Sequence, residues 1–438
     1  MVKKRNIAIL GAAGRDYHNF LVKYKDNPAY DVKFFTATQI PGITKRKFPR
    51  RLAGRLYRKD IPIFPEEKLP ALIDQYKIDD VVFAYSDVSH EKVMHLGSIV
   101  LSKGANFILL GPKETMIKSR KKIVSVCAVR TGSGKSPTTR KTAEILKDAG
   151  KRIVAVRHPM PYGDLWKQRC QRFAKYSDLK KHKCTIEERE EYEPWIELGI
   201  PIYAGVDYKM ILKEAEKEAD IILWDGGNND LPFYFPDLHI VIADPHRAGH
   251  ELLYHPGEAN FRMADVVIIS KIRSAPLSGI KKVEENIRKV NPRAVVVKAE
   301  LTFKITNGES LRGKKVLIIE DGPTLTHGEM AFGAGWLVAK KLGAKIVSPK
   351  KHAVGSIKKT YEKYKQVKDV LPAMGYGKKQ INELKRTIDR ANCDVVIDGT
   401  PVNLKKLIDI DKPIVEVDYV LKERGLSLED VLKKRGII

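Results

Sequence analysis

Short apolar runs rich in β-branched residues recur along the chain, and the stretches between them carry apolar residues at helical spacing. The first series comprises Ile7 to Leu10, Val32 to Thr36, Asp80 to Ala84 and Asn106 to Leu110, with a helix-like stretch, Lys68 to Tyr76, ahead of the third. A polar, basic run, Lys118-Ser-Arg-Lys-Lys122, marks a junction. A second series follows at Ile123 to Ala128, Arg152 to Val156, Asp220 to Trp224, Leu238 to Ala243, Asp265 to Ser270 and Ala294 to Lys298. Beyond Asn307-Gly308, read as a hairpin turn, come Val316 to Ile319, Lys345 to Val347, Asp394 to Ile397 and Pro413 to Val417. Strands alternating with helices predict βαβ units and mostly parallel sheets, so the fold class is α/β.

One strand, loop and helix in this pattern carries chemistry. Ile123 to Ala128 is apolar but for Ser125, Val129-Arg130-Thr131-Gly132-Ser133-Gly134 is a tight loop, and Lys135-Ser136 opens a helix with Thr142, Ala143, Ile145 and Leu146. This is the setting of a phosphate-binding P-loop. Gly132 and Gly134 let backbone amides approach phosphate oxygens, the helix N-terminus adds positive potential, Lys135 neutralises the β and γ phosphates, and Ser136 is placed to ligate Mg²⁺. Arg130, Thr131 and Ser133 complete the candidate nucleotide-binding loop. Val129 stands where the consensus has its first glycine, so strand and helix context carry the assignment.

A P-loop needs a second acid at the end of a neighbouring strand. Ile221-Ile-Leu-Trp-Asp225 supplies it, and Gly226-Gly227-Asn228-Asn229 follows as a turn able to approach the γ-phosphate. Asp225 is therefore a candidate metal and catalytic residue, and Gly227 a nucleotide-binding one. Two further polar loops follow strands, one with Arg157 and His158, read as catalytic, and one with His246 and Arg247. In open α/β sheets ligands lie at the carboxyl ends of strands, so both loops are expected in the crevice that holds Lys135. Ser270-Lys271-Ile272-Arg273 occupies the place of the guanine-reading motif. Arg273 is donor-only and cannot accept the guanine hydrogen bonds, which favours ATP over GTP. The chain thus divides into a Rossmann-like N-terminal domain over residues 1–119, a P-loop nucleoside-triphosphatase core over 120–300 and a C-terminal α/β part of that domain over 301–438.

Charge and cysteine usage narrow the setting. The formal charge is +26, concentrated in part between Lys45 and Lys59, where eight Lys and Arg residues occur with no acid among them. Such a field favours anions, either a phosphorylated small molecule or nucleic acid. Within the run only Phe48 and Tyr57 could stack on bases, which counts against nucleic acid. Cys127, Cys170, Cys184 and Cys393 form no C-x-x-C pair, and Cys170, His182 and Cys184 lack a fourth ligand for zinc, so all four read as ordinary thiols. No apolar run approaches the roughly 20 residues of a membrane-spanning helix. With no signal-peptide pattern at its N-terminus either, the chain reads as cytoplasmic.

The residues resemble the cyclic 2,3-diphosphoglycerate synthetases and their relatives described as predicted GTPases. The resemblance spans nearly the whole chain and is carried by Gly11-Ala-Ala-Gly-Arg-Asp16, Phe35-Thr-Ala-Thr-Gln-Ile-Pro-Gly42, Ala84-Tyr-Ser-Asp-Val-Ser-His90, Val129 to Ser136, Arg157-His-Pro-Met-Pro-Tyr-Gly-Asp164, Trp224-Asp-Gly-Gly-Asn-Asn-Asp230 and Glu320-Asp-Gly-Pro-Thr-Leu-Thr-His327. It implies an ATP- and Mg²⁺-dependent ligase that closes 2,3-diphosphoglycerate into a cyclic phosphoanhydride, with potassium as a helper ion. Such an acceptor needs several cations around it, and basic residues of the N-terminal lobe and of the Arg157 and Arg247 loops are expected to supply them.

In the N-terminal lobe, the turn from Gly11 to Gly14 is either a packing turn or an anion site using its amides with Arg15 and His18; the full dinucleotide motif is absent, so NAD is not expected. Ser86, Asp87 and His90 would lie near it, without the context of a nucleophile elbow. The loop from Glu320 and Asp321 to Thr326 and His327 is expected to reach the same crevice as Lys135. A regulatory or metal-delivery nucleoside triphosphatase and a nucleic-acid-binding one stay open as rivals of the ligase reading, as does homo-oligomerisation.

Overall fold

Two sheets organise the molecule, and the break between them falls near the basic junction. The computed structural model describes residues 4–38, 46–158, 163–227, 230–306, 310–326, 330–373 and 378–438. The N-terminal sheet has six strands in the order 47–48, 61–65, 30–37, 5–10, 80–83 and 106–109. All neighbours are parallel except the short edge strand Lys47–Phe48. Ile7, Ala8, Ile9 and Leu10 are all fully buried, as the central strand of a parallel sheet covered on both faces must be. The expected helix before the third strand runs from Leu69 to Tyr76.

The basic run behaves as a solvated face over an aromatic core. Lys47, Arg50, Arg51, Arg55, Arg58 and Lys59 are exposed, while Lys45 lies outside the described residues. Phe48 packs on Tyr17, Phe20 and Phe35, and Tyr57 packs on Phe20 and accepts a hydrogen bond from Val32 N at 3.0 Å. Phe48 is fully buried and Tyr57 partly so. The turn after the first strand is likewise occupied, because the Asp16 carboxylate accepts from the amides of Gly14 at 3.2 Å and Tyr17 at 2.7 Å. An internal carboxylate thus occupies these amides of the turn.

The second sheet has thirteen strands and begins as a P-loop sheet. From one edge its order is 171–173, 202–204, 153–157, 221–225, 122–128, 238–243, 266–269 and 295–306, parallel from the second onward. Lys122–Ala128 is central, so the loop after it opens where the strands on both sides also end. Val295–Thr306 then runs on well beyond its parallel neighbour and pairs antiparallel with Ile414–Arg424, Lys298 opposite Arg424 and Thr306 opposite Glu416. The strands 395–399 and 315–321 follow in parallel with 414–424. The expected hairpin around Asn307-Gly308 is therefore not formed between its flanking strands: Lys315–Asp321 pairs with 345–346, 371–373 and 395–399, while Val295–Thr306 takes a partner more than a hundred residues away. Residues 307 and 308 themselves lie outside the described residues.

The antiparallel pair reverses the strand sense, so the carboxyl ends of the two halves open toward one another. A helix, Ile186–Glu197, spans the gap, held at its start by a reciprocal cap between Thr185 and Glu188. The C-terminal helix Leu428–Lys434 returns to the first half, where Leu428, Val431 and Leu432 join the core under the P-loop strand. No helix among the described residues is long and apolar enough to cross a membrane.

Leu432 is fully buried in that core. Leu432→Ala is expected to destabilise the protein by about 2–5 kcal/mol, seen as a lower urea midpoint by tryptophan fluorescence. Lys434→Ala, at an exposed position of the same helix, is expected to leave the midpoint unchanged.

Candidate active site

The loop from Val129 to Ser136 owes its shape to four grips from outside. Arg247 Nη2 donates to Thr131 O at 2.8 Å, Lys271 Nζ to Gly132 O at 2.7 Å and Ser270 Oγ to Ser133 O at 2.6 Å. Because N–H and C=O of one trans peptide point in opposite directions, turning these carbonyls outward turns the amides of Gly132 and Gly134 inward. Both glycines have positive φ, +77° and +103°, which the tight turn requires. The fourth grip comes from the N-terminal lobe. Asp87, in the left-handed conformation at φ +58°, accepts from Arg130 Nε at 2.6 Å and from Thr131 Oγ1 at 2.7 Å.

Valine at position 129 is compatible with this loop. Its φ is not positive, its side chain is buried in the core, and its carbonyl is approached so closely by Gly257 that a Cβ there would come within 2.4 Å. Position 129 is a packing position here.

Inside the loop the charges are paired. Lys135 Nζ meets Asp225 Oδ1, and Arg157 Nη1 lies 3.1 Å from the same oxygen. Asp225 is in register with Val126 of the P-loop strand on one side and with Arg157 on the other, so neighbouring strands fix the triad. Arg157 Nη2 continues to Glu191 Oε1 at 2.5 Å. Burial opposes ionisation of Asp225, but Arg157, Lys135 and the Trp195 indole N–H outweigh it and hold its pKa below the usual carboxylate range. Burial and the neighbouring Arg157 lower that of Lys135. The exposed Ser136 hydroxyl opens on the same cavity. Hydroxyl and carboxylate oxygens are the hard donors a Mg²⁺ ion takes, so Ser136 and Asp225 fit that role.

The loop residues, Arg157 and Asp225 share one cavity of about 240 Å³ with a set of carboxylates: Glu190 and Glu191 on the bridging helix and, from the far half, Glu320 and Asp321 at the end of strand 315–321 and Asp418. Glu320 accepts from Trp336 N at 2.9 Å and is enclosed by Gly333, Gly335 and Gly399, each of which would carry a Cβ into it or against it. Burial pushes its pKa up to about 8 and that of Asp398 up to about 7. Sequence reasoning brought Glu320 and Asp321 to this crevice and placed Lys271 in the base-reading motif and not on the loop; it missed the bridging helix and Asp418. Glu187-Glu-Arg-Glu-Glu-Tyr-Glu193 reads as a solvated face, yet Glu187, Glu188, Glu190 and Glu193 are each at most 5% exposed. Only the apolar Ile186, Tyr192 and Trp195 interleaved with the acids signalled burial.

Most of the remaining candidates have partners of their own. Arg130 lines the cavity, and its guanidinium is engaged there: it binds Asp87, donates to His250 Nδ1 at 2.8 Å and covers the Tyr254 ring at 3.6 Å. Arg15 pairs with Asp230 at 2.9 Å, His158 Nδ1 lies 3.0 Å from the other oxygen of Asp230, and His18 stacks on Phe233 at 4.0 Å. These three form the seam between the lobes. Burial lowers the His18 pKa to about 3, leaving it neutral. Gly227 lies against the His158 side chain, so close that a Cβ there would come within 2.6 Å of the His158 Cβ and 2.8 Å of its ring. His90 lies 3.4 Å from Glu258, and Ser86 is partly buried beside Asp87. His246 bonds Ser274 at 2.9 Å on the surface, and Thr326 donates back to Gly322 O within its own helix. His327, Asn228, Asn229 and residues 159–162 lie outside the described residues. Arg157 and Arg247, expected to bind an anionic acceptor, are engaged by Asp225, Glu191 and Asp244.

Two consequences are measurable. Lys135→Ala is expected to lower nucleotide turnover roughly a hundredfold or more, and Asp87→Ala, which frees Arg130 and Thr131, to weaken nucleotide affinity about tenfold, both read by ADP release and nucleotide titration. The second concerns pH. Glu320 and Asp398 bind protons more tightly folded than unfolded, so their contribution is complete below the ordinary carboxylate range, is lost progressively as pH rises from there, and is gone above about 7 to 8. Buried His18 acts oppositely, costing stability only as pH falls below its ordinary 6.5. Thermal stability is therefore expected to fall between about pH 6.5 and 8 and to level off above, with a shallower fall in Glu320→Gln.

No protein-family model matches the chain. Among solved structures, LpxK from Aquifex aeolicus in complex with ATP aligns with 79% of this chain and 95% of its own at 16% identity and a TM-score of 0.43. The UDP-N-acetylmuramate:L-alanyl-gamma-D-glutamyl-meso-diaminopimelate ligase from Neisseria meningitides aligns with 68% of this chain and 81% of its own at 11% identity and a TM-score of 0.28. The arginine synthetase ArcE of Thermococcus kodakarensis is 60% identical over 434 residues, covering 99% of this chain and 97% of the relative. With that identity along the full length of both proteins, the chain belongs to the family of the arginine synthetase ArcE.

Proposed function

We propose that the chain is an ATP-dependent ligase that completes the guanidino group of arginine. The observation that carries this reading is the pairing of a phosphate loop with a carboxylate wall across one cavity. The loop suits the γ-phosphate of ATP; the wall suits a group that ends the reaction as a cation. The relationship to an arginine synthetase points the same way.

The chemistry follows from the product. Replacing one guanidino nitrogen of arginine by oxygen gives a ureido amino acid, citrulline. Its ureido oxygen would attack the γ-phosphorus of ATP and release ADP. Ammonia would then add to the ureido carbon, and phosphate would leave with the former ureido oxygen and one ammonia proton. The guanidinium remains. Lys135 would neutralise the transferred phosphoryl group, and Ser136 with Asp225 would hold the Mg²⁺ that accompanies ATP. Positioning and charge neutralisation account for most of the catalysis such a transfer needs. Arg273 is exposed, and Lys271 is spent on Gly132 O and Asp244, so no acceptor for a guanine edge arises from this motif.

The acceptor implied by the family resemblance, 2,3-diphosphoglycerate, is polyanionic. It would face Glu190, Glu191, Glu320 and Asp321, while the cations expected to receive it are already paired, so the citrulline reading is preferred. Incubation with ATP, Mg²⁺ and ammonium plus citrulline, and in parallel with ATP, Mg²⁺, K⁺ and 2,3-diphosphoglycerate, separates the two. ADP release with arginine formation is expected in the first. ADP release and a new phosphoanhydride signal in ³¹P NMR in the second alone would overturn the arginine reading.

A further inference from the structure

The bridging helix carries more buried acid than its own contacts use. Glu188 caps the helix with Thr185, Glu191 binds Arg157, and Glu193 binds Arg189 at 2.7 Å and accepts from Asn403 N at 3.0 Å. Glu190 differs. It is 5% exposed, lines the same cavity as Lys135, and its Oε1 has no hydrogen-bond partner among the described residues. Its side chain is hydrogen-bonded to Asp321, at the carboxyl end of strand 315–321 in the other half of the sheet. Burial, with Asp321, Glu187 and Glu191 close by, pushes its pKa well above the usual carboxylate range. A carboxyl withdrawn from water with an idle oxygen costs stability unless a ligand completes it.

We infer that Glu190 and Asp321 form the site for the guanidinium head of the arginine product, and so for the ureido head of its precursor. The assignment rests on the arginine-forming reading above. Two adjacent carboxyls from different elements match the planar, forked donors of a guanidinium better than a point-charge ammonium. The same wall already shows that chemistry one residue along, where Glu191 takes the guanidinium of Arg157. A head group on Glu190 would present its central carbon to the side of the cavity where Lys135 would hold the γ-phosphate, and Leu301 and Phe332 give apolar surface for a methylene stem.

The test compares wild type with Glu190→Gln and Asp321→Asn by calorimetric titration, in the presence of ADP and Mg²⁺. The probes are arginine and ethylguanidine, which keeps the head group and lacks the amino-acid end. Glu190→Gln is expected to weaken both by a similar factor, at least about tenfold, the weight of a charge-assisted hydrogen bond. ADP affinity is expected to stay at the wild-type value, and the melting temperature not to fall, because the substitution removes an uncompensated carboxyl. Asp321→Asn is expected to weaken both probes in the same direction, which keeps the test decisive where one variant folds poorly. Wild-type affinity for arginine in both variants would overturn the assignment alone. So would weakened arginine with unchanged ethylguanidine, which would move the carboxyl pair to the α-ammonium end. A wild-type protein that neither binds nor forms arginine would remove the functional reading and this site together.

Discussion

The antiparallel pairing of residues 298–306 with 416–424 is the constraint on which the site depends. A purely parallel extension would have pointed the carboxyl ends of every strand the same way and placed Glu320 and Asp321 beside the P-loop, in one row. By reversing sense once, the sheet sets two rows of strand ends against each other. The ligand crevice of an open α/β sheet thereby acquires a second wall with its own charge. The bridging helix can then be held from both sides, through Glu191 and Trp195 to the P-loop half and through Glu190 and Glu193 to the other.

Much of the first half was legible in the sequence because its signals are local. An apolar strand, two glycines, a lysine and a helix determine a P-loop within about fifteen residues, and Ile221-Ile-Leu-Trp-Asp225 announces a buried strand ending in acid. The second half was harder for a physical reason. Its defining contact joins segments separated by more than a hundred residues, and nothing in Val295–Thr306 itself reveals that its partner is 414–424 rather than the next strand along. Asn307-Gly308 carried the usual hairpin chemistry and misled accordingly.

The buried glutamates were hidden for a related reason. Acids at most positions of a helical stretch ordinarily mean solvent, and Glu191 and Glu193 are held here by partners in other segments, Arg157 and Asn403. Asp87 shows the same limit. Its motif was visible, but its work is to hold Arg130 and Thr131 from another lobe, a role no spacing within residues 84–90 encodes.

The ion pair between Lys135 and Asp225 has a selective consequence. In a protein of formal charge +26, a bare lysine at the foot of a cleft would attract any passing polyanion. Here that lysine is already neutralised, and an anion arriving alone would gain Lys135 only by leaving buried Asp225 with Arg157 as its remaining cation. A phosphate that brings its own divalent cation faces no such conflict, because it offers a negative charge to the lysine and a positive one to the aspartate. The resting site is thus self-compensated, and it discriminates by demanding an exchange of both charges at once.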